Sequence, residues 1–131
     1  MQTHSFDIGS GHTWSIALTA NESALFSASS DAIVRLWDLY TGKQRLSLCG
    51  HKGYAGFVGV FGQIVVTNGE DLAVRVWNLD GIERFILCGH DKGIVQAAVN
   101  IDNSRMATGD SNGGVRLWGL DDGYVSLIYS T

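Results

Sequence analysis

Short runs rich in Val, Ile, Leu, Phe and Trp follow one another along this chain, separated by clusters of Gly, Asn, Asp and Ser. None carries the three-to-four-residue apolar period of an amphipathic helix, so the runs predict strands and the fold class is all-β. Expected strands cover residues 14–19, 24–28, 33–37 and 43–49; then 57–61, 64–67, 73–77 and 84–88; then 94–99, 105–108, 115–118 and 124–129. A shorter polar/apolar alternation at 4–8 precedes them. Between strands, Asn21-Glu22-Ser23, Ser29-Ser30-Asp31, Tyr40-Thr41-Gly42 and Leu79-Asp80-Gly81 supply turn residues. The tightest link is Gly62-Gln63, which fits a mirror-image hairpin turn because Gly accepts a positive φ at low cost. The longest is Asp110-Ser111-Asn112-Gly113-Gly114.

These strands form a repeat. Gly-His stands at Gly11-His12, Gly50-His51 and Gly89-His90, two spacings of 39 residues, and each copy leads to a tripeptide ending in Trp: Arg35-Leu36-Trp37, Arg75-Val76-Trp77 and Arg116-Leu117-Trp118. A period of about 40 with His near one end and Trp near the other marks four-stranded propeller blades. The expected units are 11–49, 50–88 and 89–131. Residues 1–10 hold a leading outer strand, since a run of the same kind precedes each later Gly-His. A sheet of this size has two apolar faces that it cannot cover alone, so each unit must stack on its neighbours. Propellers need about 4 to 8 blades to close. Three units therefore imply an incomplete ring: a segment of a longer protein, a head-to-tail pair of chains making six blades, or an open arc.

A formal charge of −4 provides no general basic field for nucleic acid or an anionic membrane, although local patches stay open. No apolar stretch reaches 18 residues, and MQTHSFDIGSG lacks the basic and apolar segments of a secretory signal, so an intracellular site, cytoplasmic or nuclear, is expected. Cys49 and Cys88 each precede a Gly-His. Equivalent strand ends of neighbouring blades splay apart, so two reduced thiols are expected rather than a bridge.

With these motifs in place the chain resembles the WD40 repeat family of β-propellers from Gly11 to Leu120. The resemblance implies a buried hydrogen-bonded tetrad in each blade. Unit one supplies His12, Ser27, Asp31 and Trp37; unit two His51, Thr67, Asp71 and Trp77; unit three His90, Thr108 and Trp118, with Asn112 where the Asp is expected. The spacing agrees, for in each unit the Ser or Thr lies four residues before the turn residue and the Trp six after it. A carboxylate, an imidazole, a hydroxyl and an indole N–H in one chain satisfy groups too costly to bury alone. An Asn brings no charge, so the third network is expected to be weaker. The terminal Trp-Asp pair of the family survives at Trp37-Asp38, while Trp77-Asn78 and Trp118-Gly119 depart from it.

Three histidines one blade apart do not converge at the roughly 2 Å needed for a shared metal, so no metal or cofactor is expected. No phosphate loop, nucleophile elbow or paired acids suggest an enzyme. Arg35, Arg75 and Arg116, always two before the Trp, read as structural, with an aliphatic stem on the sheet and a head at solvent or an acid. Trp37-Asp38-Leu39-Tyr40 lacks the Arg of the Trp-Asp-x-Arg motif by which some relatives serve ubiquitin ligases. The resemblance instead implies a scaffold that binds a peptide or protein through a disk face, or else an architectural segment of a larger assembly. On the face near the channel it places Thr13, Trp14, Lys52, Tyr54, Asp91, Lys92, Ser30, Glu70 and Ser111. Trp14 and Tyr54 are either binding hot spots there or packing residues against the next blade.

Overall fold

The computed structural model describes residues 11–88, 90, 92–100, 105–120 and 125–129, with Val95 and 125–129 described by their backbone. The expected leading strand at 4–8 lies outside these residues, as do Tyr124 and Asp91. Twelve strands follow in order among the described residues. They are β1 (Thr13–Leu18), β2 (Ala24–Ser29), β3 (Val34–Asp38), β4 (Gln44–Leu48), β5 (Ala55–Phe61), β6 (Ile64–Gly69), β7 (Val74–Asn78), β8 (Glu83–Leu87), β9 (Ile94–Val99), β10 (Arg105–Asp110), β11 (Val115–Gly119) and β12 (Val125–Tyr129). They make three four-stranded sheets, β1-β2-β3-β4, β5-β6-β7-β8 and β9-β10-β11-β12, in which every pairing is antiparallel. The strand β1 neighbours β5, and β5 neighbours β9, so the first strands of successive sheets line one axis.

Two apolar cores lie between the sheets. Phe26, Val34, Leu36 and Leu48 of the first sheet meet Val58, Val65 and Trp77 of the second. On the other side of the second sheet, Ile64, Val66, Val74 and Val76 meet Ile94, Met106, Trp118 and Leu120 of the third. Neighbouring residues Val65 and Val66 thus face opposite cores, which is the strand alternation at work. All six residues of β6 are buried because its sheet is covered on both faces. Burying each large apolar side chain contributes about 1.5–3 kcal/mol, so these contacts between sheets carry much of the fold.

Polar staples fix the sheets side by side. The Ser15 hydroxyl accepts from the Val58 N–H at 3.1 Å and lies 3.4 Å from the Val58 carbonyl, joining β1 to β5. Buried Asn68 accepts from the Ile94 N–H at 3.0 Å and donates to the Ala73 carbonyl at 2.9 Å, joining β6 to β9. The Gly62-Gln63 link has φ 62° at Gly62, as its two-residue length requires. Opposite each repeat Trp a bulge shifts the register of the outermost pair, at Leu36/Trp37, Val76/Trp77 and Leu117/Trp118. Arg45 and Arg84 are the extra residues of the first two bulges, since Trp37 pairs with Gln44 and Trp77 with Glu83.

The outer faces of the first and third sheets differ from the middle one. Ile16 pairs with Ser27 as Val58 pairs with Thr67, yet Ile16 is 62% exposed and Val58 3%. Leu18 is likewise 53% exposed, and among the described residues no sheet covers its side. At the other end Val115 is exposed where its counterparts Val34 and Val74 are fully buried.

Candidate functional site

Unit two contains one continuous hydrogen-bonded chain. The Trp77 indole N–H donates to Thr67 Oγ1 at 2.9 Å, Thr67 Oγ1 lies 2.7 Å from His51 Nε2, and His51 Nδ1 lies 3.1 Å from Asp71 Oδ1. With the indole occupying a lone pair of the hydroxyl, Thr67 donates to Nε2, and Nδ1–H of a neutral imidazole donates to Asp71. Burial is the largest influence on His51 and lowers its pKa, while the Asp71 hydrogen bond opposes it, so the ring is neutral near pH 7. Burial pushes the Asp71 carboxyl up, but the His51 hydrogen bond and the Lys52 and Ala73 N–H groups outweigh it and hold the pKa below 3.8.

Unit three makes the same chain with a different acid. Trp118 donates to Thr108 at 2.9 Å, Thr108 lies 2.6 Å from His90 Nε2, and His90 Nδ1 lies 2.7 Å from Asp110 Oδ2. The expectation that Asn112 takes the acid's place is corrected, because Asp110, two residues after the Thr, does so. The matching position in unit two is Gly69, where a Cβ would lie 3.2 Å from His51 Nδ1, so this position stands beside the histidine and the longer Asp110 side chain reaches it; in unit one it is Ser29, whose hydroxyl turns to Asp31 and Ile33 instead. The other oxygen of Asp110 accepts from the N–H groups of Asn112 and Gly114 at 2.9 and 2.8 Å and closes the turn. The hydrogen bond from His90 leads the influences that lower the Asp110 pKa. This network carries a carboxylate, contrary to the weaker, uncharged one expected.

In unit one only half of the expected tetrad is joined. Trp37 donates to Ser27 at 3.0 Å, but His12 is exposed and its ring nitrogens meet neither Ser27 nor Asp31. The ring packs at 5.6 Å from Trp14, and the His12 N–H donates to Ser30 Oγ at 2.8 Å. Asp31 is held by Arg35, with Nη2 to Oδ2 at 2.5 Å and Nη1 to Oδ1 at 3.2 Å, and this bidentate contact leads the influences lowering its pKa. The exchange has a cause in the outer strand. In unit two Glu83 bonds Arg75 at 2.8 Å and Arg75 keeps only a longer 3.8 Å contact with Asp71, which bonds His51, whereas the position matching Glu83 in unit one is neutral Gln44, which donates to Ser47. Arg35 and Arg75 thus reach acids; Arg116 is partly buried.

Near the axis, the face formed by the loops before β1, β5 and β9 carries the candidate binding residues. Trp14 and Tyr54 are 55% and 43% exposed, and their rings stand 5.9 Å apart at 46°. Both contact each other across the blade junction and remain open to solvent, so packing and exposure coexist. With Ser111 they line one cavity of about 420 Å³ whose remaining wall is Gly56, Asn68, Gly69, Gly93 and Ile94. Sequence reasoning missed those five wall residues; the signal available was the glycine at the start of β5 and at the end of β6. Exposed Lys52 and Lys92 lie outside the wall, as do Ser30, which is engaged by His12, and Glu70, whose side chain covers Gly53. Thr13 is taken up in pairing with Ser29. Among the described residues no group of three His, Cys, Asp or Glu is placed to hold a metal. Cys49 and Cys88 are free and exposed.

Four-stranded antiparallel sheets arrayed by their first strands, with His, Thr and Trp bonded inside them, are blades of a β-propeller. The chain belongs to the WD40 repeat family: the family model for the WD domain, G-beta repeat, matches residues 2–38 and 81–119, more than half of its length. That membership places it among repeat scaffolds rather than enzymes, a fold that generally mediates protein interactions. It is similar to cilia- and flagella-associated protein 52 of Chlamydomonas reinhardtii, 38% identical over 105 residues that make up 78% of this chain and 17% of that protein. It is also similar to mitochondrial division protein 1 of Mycosarcoma maydis, 37% identical over 71 residues, 54% of this chain and 9% of that protein. WD repeat and SOCS box-containing protein 1 of Homo sapiens is 31% identical over 93 residues, 67% of this chain and 22% of that protein. The chain spans less than a quarter of the length of each of these relatives.

Proposed function

We propose that this chain is a non-enzymatic interaction module that captures a segment of a protein partner on the face where Trp14 and Tyr54 meet. The observation that carries this reading is the pair of rings 5.9 Å apart, both substantially exposed, at the mouth of a cavity of about 420 Å³. Aromatic side chains with a polar edge dominate interface energetics, and a cavity of this size accepts a side chain of a docking peptide. The glycines of its wall keep backbone groups within reach of such a peptide. The intracellular site expected from the sequence belongs to the same proposal.

A second role rests on the exposed side of the first sheet. Ile16 and Leu18 stand where Val58 and Val60 pack on a preceding sheet, so a further blade, from a longer form of this protein or from another copy, is the natural cover. This architectural role accompanies partner capture and replaces it only if the aromatic pair proves inert. The deciding experiment is a quantitative pull-down with wild-type chain and the Trp14→Ala, Tyr54→Ala double variant, alongside urea unfolding of both. Selective loss of captured proteins at an unchanged unfolding midpoint is the expected result. Retention of the same proteins by the variant refutes the proposed face.

A further inference from the structure

The two blade junctions are built from equivalent parts and yet end differently at the side remote from Trp14. At the second junction the bulge residue Arg84 crosses to the third sheet, with Nη2 3.5 Å from the Leu120 carbonyl. The matching parts at the first junction are the bulge residue Arg45, which follows the partner of Trp37 as Arg84 follows that of Trp77, and Leu79, which stands two residues after its repeat Trp as Leu120 does. Here the crossing is not made. Arg45 is exposed, and a cavity of about 300 Å³ stays open between it and Leu79.

The shape follows from loop lengths. In the first sheet, β1 and β2 are joined by a five-residue turn at 19–23, in which Asn21 Oδ1 accepts from Thr19, from the Ser23 N–H and from the Ser23 hydroxyl. The matching turn of the second sheet is only Gly62-Gln63. The short turn leaves unfilled the space that the long one overhangs, and both turns line the cavity. Its lining combines apolar Phe26, Leu36 and Leu79 with Arg45, Asn21 and Gln63, which carry a guanidinium and two side-chain amides. Since Asn21 spends its oxygen within its own turn, its NH₂ is the end left for a ligand. Among the described residues no carboxylate lines the space. Asp38 lies near Arg45, but its own Oδ1 is engaged by the Tyr40 and Thr41 N–H groups at 2.8 and 3.0 Å. A bulge re-aims the side chain it adds, and this one aims a cation at a pocket lined by apolar side chains and hydrogen-bond donors.

We propose that this junction pocket is a second peptide-binding site, selective for a segment with an apolar residue next to an acidic one. The apolar side chain enters against Phe26 and Leu79, and the carboxylate meets Arg45. The site is independent of the face around Trp14 and Tyr54, because it lies beyond the opposite end of β1.

The test is titration of the ¹⁵N-labelled full chain with the acetylated, amidated dipeptide Leu-Glu and, separately, Leu-Gln, followed by amide shift changes. The acidic peptide is expected to shift Ser23, Arg45, Gln63 and Leu79 and to bind about tenfold or more tightly than Leu-Gln, one charge-assisted contact being the difference. Arg45→Gln should abolish that preference, Arg45→Lys should keep part of it, and Arg84→Gln should leave it unchanged. Equal binding of the two peptides, or no shift at these amides, overturns the proposal. Shifts confined to Trp14 and Tyr54 overturn it too while leaving the first binding face standing.

Discussion

Histidines at three equivalent positions should contribute unequally to stability, and replacement of each by alanine measures how far. His51 is buried, and its removal deprives the Thr67 hydroxyl of its acceptor and Asp71 of a donor. One buried hydroxyl left without a partner costs about 1–3 kcal/mol, and the space vacated by the ring adds to it, so His51→Ala should lose about 2–4 kcal/mol. His90→Ala should lose a similar amount through Thr108 and Asp110. His12→Ala should cost at most about 0.5 kcal/mol, because its exposed ring meets neither Ser27 nor Asp31. Urea unfolding with a common slope resolves these differences as midpoint shifts. A double-mutant cycle then isolates the pairs: His51 with Asp71 should couple by about 0.5–3 kcal/mol, and His12 with Asp31 should add independently. Equal losses at all three histidines, or strong coupling between His12 and Asp31, would refute the unequal networks described above.

Other outcomes follow from the same geometry. Gln44→Glu should draw Arg35 away from Asp31, as Glu83 draws Arg75, and raise the Asp31 pKa measured by carboxyl NMR; an unchanged titration would mean that the neutral Gln44 is not the cause. Leu72 is held at φ 61°, where the matching residue of unit three is Gly113 at φ 85°, so Leu72→Gly should stabilise or leave stability level by relieving about 1 kcal/mol of strain, whereas a clear loss in thermal unfolding would contradict it. Because burial lowers the folded-state pKa of His51 below 6.5, the folded chain binds fewer protons than the unfolded one just below that pH. The resulting stability is whole above pH 6.5 and drains as pH falls toward the folded value, so denaturant midpoints should decline from pH 7 to 5 less steeply in His51→Gln than in wild type.

The repeat itself was legible without coordinates. Turn residues, the 39-residue spacing of Gly-His and the recurring Arg-x-Trp set the strands and their grouping in fours, because backbone propensity and alternation are local properties that each short run carries within itself. Burial of both faces of the middle sheet also followed from the repeat, since a blade cannot cover itself. What the local pattern did not contain was the choice of acid in each network. Asp110 was passed over for Asn112 because counting from the Thr assumes one turn geometry, while the end of β10 aims its last side chain directly at His90. Asp31 stood at the expected spacing, yet it pairs with Arg35, since the competing acid present as Glu83 in the next blade is Gln44 here, across a different strand. The two cavities likewise arise from unequal turns and bulges brought together from separate blades. Competition for one carboxylate, and space between two sheets, are settled by residues that meet only after the strands have paired and stacked, so tertiary structure decided them.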